Sequence, residues 1–286
     1  MALPVTWLDV FTAEPFTGNQ LAVVHDADGV DEGAMRAFAR ETRLSETTFV
    51  QRSSVEGADY RNRIWNTKAE MAFAGHPSLG TAVAVAARRG VREARYVQET
   101  PAGLQPIEVE LDADGLRARA SMHQEPAVLG EELDPLAVLA AAGLEEADLA
   151  DGLPPQVVGT GMNQVLLPVR DAAVLERCAP RADLVEALLR PRDCATLYVV
   201  HAEPDMGFAR ARSFYDDVSG VSEDPATGSA AGPLCAYLHA RTGAARVIVD
   251  QGVEMGRPSR LEAELDGDRV RVAGDAVIVM TGDVRL

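Results

Sequence analysis

Two stretches of this chain are apolar on every side instead of along one face. Residues 77–89 carry Leu79, Ala82, Val83, Ala84, Val85, Ala86 and Ala87, and residues 230–241 carry the unbroken apolar run 234–238. A helix that is hydrophobic all round is buried all round, so something must wrap each of these two. Short runs with strand-like alternation or β-branched content supply the wrapping: 7–11, 21–24, 44–50, 60–65, 95–99, 105–111 and 116–122 in the first half of the chain. In the second half they recur near Val157 and over 164–169, 195–201, 208–214, 246–250, 260–265, 269–273 and 276–280. Further helices are predicted over 31–42, where Asp31 caps and Met35, Phe38 and Ala39 fall at helical spacing, and over 135–142, 171–177 and 181–189.

Each buried helix is entered through a turn of small residues. The first reads Phe73-Ala74-Gly75-His76-Pro77-Ser78-Leu79-Gly80, the second Ser222-Glu223-Asp224-Pro225-Ala226-Thr227-Gly228-Ser229-Ala230-Ala231-Gly232-Pro233. A helix start leaves backbone N–H groups without intrahelical partners and carries the positive end of the dipole, which suits an anion. Gly228 lets a ligand approach the backbone, Ser229 can cap or donate, and Asp224 places a carboxylate just upstream. Taken alone, the second mouth fits an ordinary capped helix start equally well. The recurrence of the design 153 residues apart (228 minus 75) points instead to a duplicated architecture whose halves face each other across a cleft. The composition shifts toward proline, alanine and acid between 125 and 152, which puts the boundary there: halves 1–125 and 126–286, with the last strand able to return to the first half.

Glu46 stands at the entrance of a strand between Leu44 and Phe49, as a solvated loop residue or as a site residue; composition favours the solvated reading. The net charge of −17 opposes nonspecific binding to nucleic acid or anionic membranes, and a small-molecule ligand fits better. Only Lys68 among the 27 basic residues is a lysine, and its polar surroundings mark it as exposed, which leaves little room for Schiff-base chemistry. Cys178, Cys194 and Cys235 are widely spaced, form no C-x-x-C pair and read as structural thiols. No apolar run approaches the roughly 20 residues of a membrane span, and the opening MALPVTWLDVF lacks a basic region and signal-type core, so a cytoplasmic protein is expected. No Walker loop, G-x-G-x-x-G after a strand, H-E-x-x-H or G-x-S-x-G is present.

With Glu46 and both mouths in view, the chain resembles the PhzF-like family of phenazine-biosynthesis proteins, of the diaminopimelate epimerase-like fold. The resemblance runs through Asp9-x-Phe11 with Gly18-Asn19, Leu44-Ser45-Glu46-Thr47, Phe73-Ala74-Gly75-His76-Pro77, Ala120-Ser121-Met122-x-Gln124, Glu223-Asp224-Pro225-Ala226-Thr227-Gly228-Ser229-Ala230 and Gln251-Gly252-Val253-Glu254-Met255-Gly256-Arg257-Pro258-Ser259. It implies an α/β (α+β) fold of two pseudo-symmetric halves, each a curved, mostly antiparallel sheet around a central helix, usually in a homodimer. It also implies a cofactor-independent, metal-independent isomerase that moves a hydrogen on trans-2,3-dihydro-3-hydroxyanthranilate or a similar small cyclic carboxylate. The family's catalytic residues fall on Glu46, His76, Asp224 and Ser229, and substrate contacts on Asn19, Gly75, Pro77, Thr227 and Gly228; Glu46 thereby becomes the proton carrier. The alternatives are an amino-acid epimerase or racemase, which in the fold's other branch uses two cysteines, one at each mouth, and a member that binds without catalysis. Cys178, Cys194 and Cys235 lie in neither mouth. Departures at Gln20, at Trp65-Asn66-Thr67 and at His123 are expected to remodel the pocket wall and bear on the substrate more than on the reaction.

Overall fold

The computed structural model describes residues 2–217 and 220–286, which divide into two compact units, Met1–His123 with Ala273–Leu286, and Gln124–Val272. The first contains β1 (Ala2–Val10), β2 (Asn19–Val24), α1 (Glu32–Thr42), β3 (Thr47–Gln51), β4 (Tyr60–Trp65), β5 (Glu70–Met71), α2 (Gly75–Arg89), β6 (Glu93–Thr100), β7 (Gly103–Leu111) and β8 (Arg117–His123). It is completed by the later part of the chain's last strand, β17 (Arg269–Arg285). Pairing runs β1–β2, β2–β3, β3–β4, β4–β6, β6–β7 and β7–β8, with β2–β3 and β4–β6 parallel and the others antiparallel. The end of β17 then closes the circuit, pairing antiparallel with β1 while Ile278 N–H donates to the Leu116 carbonyl just ahead of β8.

Inside this closed sheet sits α2, buried at every position from Gly75 to Ala86 and in contact with β1, β2, β3, β4, β6, β7 and β8. Its apolar sequence is thus matched by burial on every side. Gly80 is what allows the approach: a methyl added there would lie 2.6 Å from Leu21 Cδ2 and 2.8 Å from Val10 Cγ2. Amphipathic α1, capped by Asp31 accepting from Ala34 N–H at 3.0 Å, covers the sheet from outside, with Met35 and Ala39 against Leu3, Val5, Val24, Phe49 and Trp65.

The second unit repeats the scheme with β9 (Val128–Glu132), α3 (Pro135–Ala142), β10 (Gln156–Gly159), β11 (Asn163–Pro168), α4 (Ala172–Arg177), α5 (Ala182–Leu189), β12 (Cys194–Glu203), β13 (Phe208–Asp217), β14 (Gly220–Asp224), α6 (Gly228–Thr242), β15 (Arg246–Gln251) and β16 (Ser259–Asp266). Here α6 is the inner helix, against β10, β11, β15 and β16, while α3, α4 and α5 bury Val138, Leu139, Val174, Val185 and Leu188 on Val165, Leu167, Leu197 and Val199. Pro233 lies within α6 and cannot donate to the Ser229 carbonyl one turn back. Gln164 Nε2 fills that place, donating to Ser229 C=O at 3.3 Å.

The patterning predicts this arrangement of sheet around helix, and the differences lie at element ends and in short strands held by their partners. The inner helices begin at Gly75 and Gly228, two residues ahead of the expected starts, so the glycines belong to the first helical turns. The strands expected over 269–273 and 276–280 are one continuous strand, β17. Asp224, expected in a loop, ends β14, which forms a hairpin on β13 with Asp224 opposite Ser213; the Gly-Val-Ser-Glu-Asp sequence has no apolar alternation, and its strand state comes from that partner. The unpredicted β9 is exposed throughout and is likewise held by its pairing with β10.

Gly80→Ala is expected to cost about 1–3 kcal/mol, the range for overpacking a filled core. Gly29→Ala, where an added methyl meets nothing within 4 Å, is expected to stay within about 0.5 kcal/mol. Urea unfolding followed by circular dichroism measures both; equal midpoints would mean that α2 can shift to accept the methyl.

Candidate functional site

The first unit brings together three of the residues singled out from the sequence. Glu46 immediately precedes β3, His76 is the second residue of α2, and Asn19 opens β2. Glu46 Oε2 lies 3.4 Å from His76 Nε2, with the two side chains 15% and 6% exposed. On the other edge of the ring, Asn19 Nδ2 is 3.2 Å from His76 Nδ1, and the Ser45 hydroxyl lies 3.3 Å from Asn19 Oδ1. Burial lowers the His76 pKa from its usual 6.5 to about 3, against a smaller opposing contribution from the Gln20 main chain. The close approach to Glu46 is therefore that of a neutral imidazole, not an ion pair.

The same mouth presents backbone donors. Ser78 N–H closes the first helical bond onto Ala74 C=O at 3.3 Å, and Pro77 has no N–H, so the first-turn donors are those of Gly75 and His76. The mouth is braced from β6, where Gln98 Nε2 donates to the Ser78 hydroxyl at 2.7 Å and the Ser78 hydroxyl donates to Ala74 C=O at 2.7 Å.

The second unit assembles Asp224, Thr227, Gly228 and Ser229. Ala230 and Ala231 N–H both reach Thr227 C=O, which leaves Gly228 and Ser229 as the first-turn donors, the counterparts of Gly75 and His76. The Thr227 hydroxyl donates to Asp224 Oδ2 at 2.5 Å. Its direction is set by Gln251, at the end of β15, whose Nε2 donates to Thr227 Oγ1 at 3.0 Å and to Asp224 C=O at 2.7 Å. Gln251 Oε1 accepts from Thr227 N–H at 3.2 Å and from the Tyr198 hydroxyl at 3.1 Å, which fixes the amide orientation. Burial, reinforced by Asp224, pushes the Tyr198 hydroxyl above its ordinary range and keeps it a donor. Gly252 follows at φ +73°, and an added Cβ would meet Arg257 O at 2.4 Å and Pro225 O at 2.6 Å, so the Gln251-Gly252 turn lies directly on the Asp224 loop. Gln124 Nε2 donates to Gly228 C=O at 2.8 Å while its Oε1 accepts from the Thr160 hydroxyl at 2.6 Å.

These amides were not assigned roles from the sequence. Gln98, Gln164 and Gln251 occupy fully buried strand positions, and that is their sequence signal: a neutral amide where an apolar residue is due. The departures expected to remodel the pocket take other places. Trp65 is buried in the cluster beneath α1, with the Arg36 and Arg63 guanidinium groups 5.7 and 5.9 Å from its ring centroid, and Asn66 Oδ1 accepts from Lys68 and Ala69 N–H in a turn. The wall-remodelling expectation is corrected at these two positions: they build the outer layer and its turn. His123 is exposed at the end of β8, and Gln20 meets His76 through its main chain. Cys178, Cys194 and Cys235 hydrogen-bond to the carbonyls of Val174, Arg192 and Ala245, and burial pushes each thiol up to about 11.

Comparison with known proteins gives the family. The profile of the phenazine biosynthesis-like protein family matches residues 8–282, and the chain belongs to that family. A trans-2,3-dihydro-3-hydroxyanthranilate isomerase of Pseudomonas aeruginosa is 37% identical over 270 residues, covering 93% of this chain and 91% of that protein. The crystal structure of a Bacillus anthracis phenazine biosynthesis protein of the PhzF family superimposes with a TM-score of 0.86 at 29% identity over 100% of both chains. A structure described as a predicted epimerase from Pseudomonas aeruginosa gives 0.87 at 33% identity over 99% of both. The fold is diaminopimelate epimerase-like, and named members of the family are isomerases. No helix among the described residues is long and apolar enough to cross a membrane.

The buried imidazoles make stability depend on pH. His76 and His25, the latter lowered to about 4 chiefly by burial, stay neutral in the folded protein, whereas the unfolded chain protonates them near 6.5. Both folded values are depressed, so this stability is fully present above pH 6.5 and is lost as pH falls from there toward 4 and 3. Each proton taken up on unfolding is worth about 1.4 kcal/mol per pH unit. His76→Asn is therefore expected to flatten the slope of unfolding free energy between pH 6 and 4.5 by about one proton, read from urea titrations; an unchanged slope would mean that the ring is charged in the folded state.

Proposed function

We propose that this chain is a cofactor-independent isomerase that shifts a proton within a small cyclic carboxylate, with trans-2,3-dihydro-3-hydroxyanthranilate as the substrate to test first, acting as a cytoplasmic homodimer. The observation that carries the reading is the carboxylate of Glu46 held against the edge of a buried, neutral His76 at a helix mouth. Glu46 takes the proton from one carbon and returns it at another. A positioned acid/base of this kind contributes about 10²–10⁴ in rate, so the remaining acceleration comes from groups that orient the ligand and receive developing negative charge. In the first unit Gly75 N–H takes that second role; in the second unit Gly228 N–H and the Ser229 hydroxyl are its counterparts, with Asp224, aligned through Thr227, as the group that orients a ligand at that mouth.

The main alternative, an amino-acid epimerase working through a pair of thiols, fits less well: all three cysteines are held as protonated thiols bonded to carbonyls of their own surroundings.

Glu46→Gln preserves shape and removes the base, so turnover is expected to fall by about 10²–10⁴ with ligand affinity within a few fold. The assay is incubation with trans-2,3-dihydro-3-hydroxyanthranilate in D2O, followed by NMR and mass spectrometry for the displaced double bond. Wild-type turnover by the variant removes Glu46 from the mechanism. Inversion of an amino-acid stereocentre with solvent deuterium at that carbon would establish the epimerase, and thermal stabilisation by ligand without turnover would establish a binder.

A further inference from the structure

We infer that Asn19 is a positioning residue that fixes the tautomer of His76, keeping the imidazole proton on Nε2, beside Glu46, and the lone pair on Nδ1. The consequence for catalysis rests on the reading of Glu46 as the proton carrier; the tautomer itself does not.

A neutral imidazole has one N–H and one lone pair, and its neighbours decide which nitrogen carries which. The ring of His76 is buried and has polar neighbours on two edges. At Nε2 stands Glu46 Oε2, 3.4 Å away. A carboxylate oxygen only accepts, so a lone pair on Nε2 would set two acceptors against each other inside the protein, whereas an Nε2–H turns its positive end toward the carboxylate, an electrostatic contact and not a hydrogen bond at this geometry. At Nδ1 stands Asn19 Nδ2, 3.2 Å away, a group that only donates and therefore calls for the lone pair. The Ser45 hydroxyl on Asn19 Oδ1 completes the amide from its other end, and Asn19 is itself 1% exposed, so the arrangement is shielded from water. The competing acceptor is the Gln20 main chain, whose hydrogen bond to the ring raises the His76 pKa; a proton held on Nδ1 for that acceptor is the alternative that the nitrogen spectra below decide.

The arrangement governs where a proton can go. Once Glu46 has removed a proton from a substrate carbon, a ring with its lone pair on Nε2 would be a second place for that proton to rest. With Nε2 already protonated and Nδ1 covered by Asn19, this route is shut. The proton stays on Glu46 until it is delivered to the second carbon, so hydrogen moves within one substrate molecule in preference to exchanging with water.

The test has two arms. With [15N]-histidine labelling, long-range 1H–15N correlation reports the protonation of each ring nitrogen at neutral pH, and the signals of His76 among the chain's five histidines are those missing from His76→Asn. The wild type is expected to show protonated Nε2 and unprotonated Nδ1, and Asn19→Asp, whose carboxylate must accept, to show protonated Nδ1. A wild-type ring protonated on Nδ1 overturns the inference whether or not the variant folds. So does an unchanged tautomer in folded Asn19→Asp, and so does one in Asn19→Leu, which removes the donor and is expected to give a mixture. In the second arm, substrate deuterated at the donor carbon is turned over in H2O: the label is expected to be retained in the wild type and to fall to solvent level in Asn19→Asp. Inactivity of the wild type on this substrate would count against the proposed function while the nitrogen spectra still decide the tautomer; equal retention in both proteins would overturn the role given to Asn19.

Discussion

A helix packed inside a sheet takes its backbone carbonyls into the protein interior, and at Ser229 the helical donor is missing because Pro233 stands one turn on. Leaving such groups unmade costs on the order of 1–3 kcal/mol each. Most of the polar detail in both units answers this constraint. In the first unit the Ser78 hydroxyl, held by Gln98, is bonded to the Ala74 carbonyl. In the second, Gln124 and Gln164 serve the Gly228 and Ser229 carbonyls, and Gln251 ties down the approach through Asp224 and Thr227. Neutral amides suit this work because they donate and accept without the desolvation penalty of a buried charge.

Two glycines near the second mouth are steric requirements. A methyl at Gly232 would lie 1.8 Å from Gln124 Oε1, so the glutamine that holds the start of α6 occupies the space that glycine leaves one turn further on. The left-handed backbone of Gly252 and its contact with Pro225 likewise carry the conformation of the Asp224 loop into a turn after β15. The Gln251-to-Ser259 motif, which carries resemblance in the sequence without an obvious chemical residue, acquires a use from this contact: it shapes the loop that presents a carboxylate.

Much of this was legible in the sequence because it depends on period and composition. The all-apolar run after Pro77 could only be a wrapped helix, Asp31 could only be a cap, and the repeated small-residue turns pointed to two mouths. Family resemblance supplied Glu46, which composition alone assigned to solvent; its 15% exposure arises from elements distant in sequence, α2 and β2, that no local window sees. The strand state of Asp224 and the continuity of β17 also depend on partners, as does the polarity of each buried amide. The departure at Trp65 was misread for a related reason: which face of β4 a residue presents cannot be told until the sheet's curvature decides which face is inside.

The route of β17 bears on how such a chain is made. The second unit is a continuous segment, Gln124–Val272, whereas the first needs Ala273–Leu286 to close its sheet against β1. A nascent chain therefore cannot complete the unit it begins, even though residues emerge from the ribosome in order and domains commonly fold as they appear. Until the last strand is released, α2 and its apolar surroundings have an open seam, and the later-made segment is the one free to finish first. In the order of synthesis the second unit is thus complete before the first, and a chain that stops short of Ala273 leaves the pair Glu46 and His76 in a sheet without its closing strand.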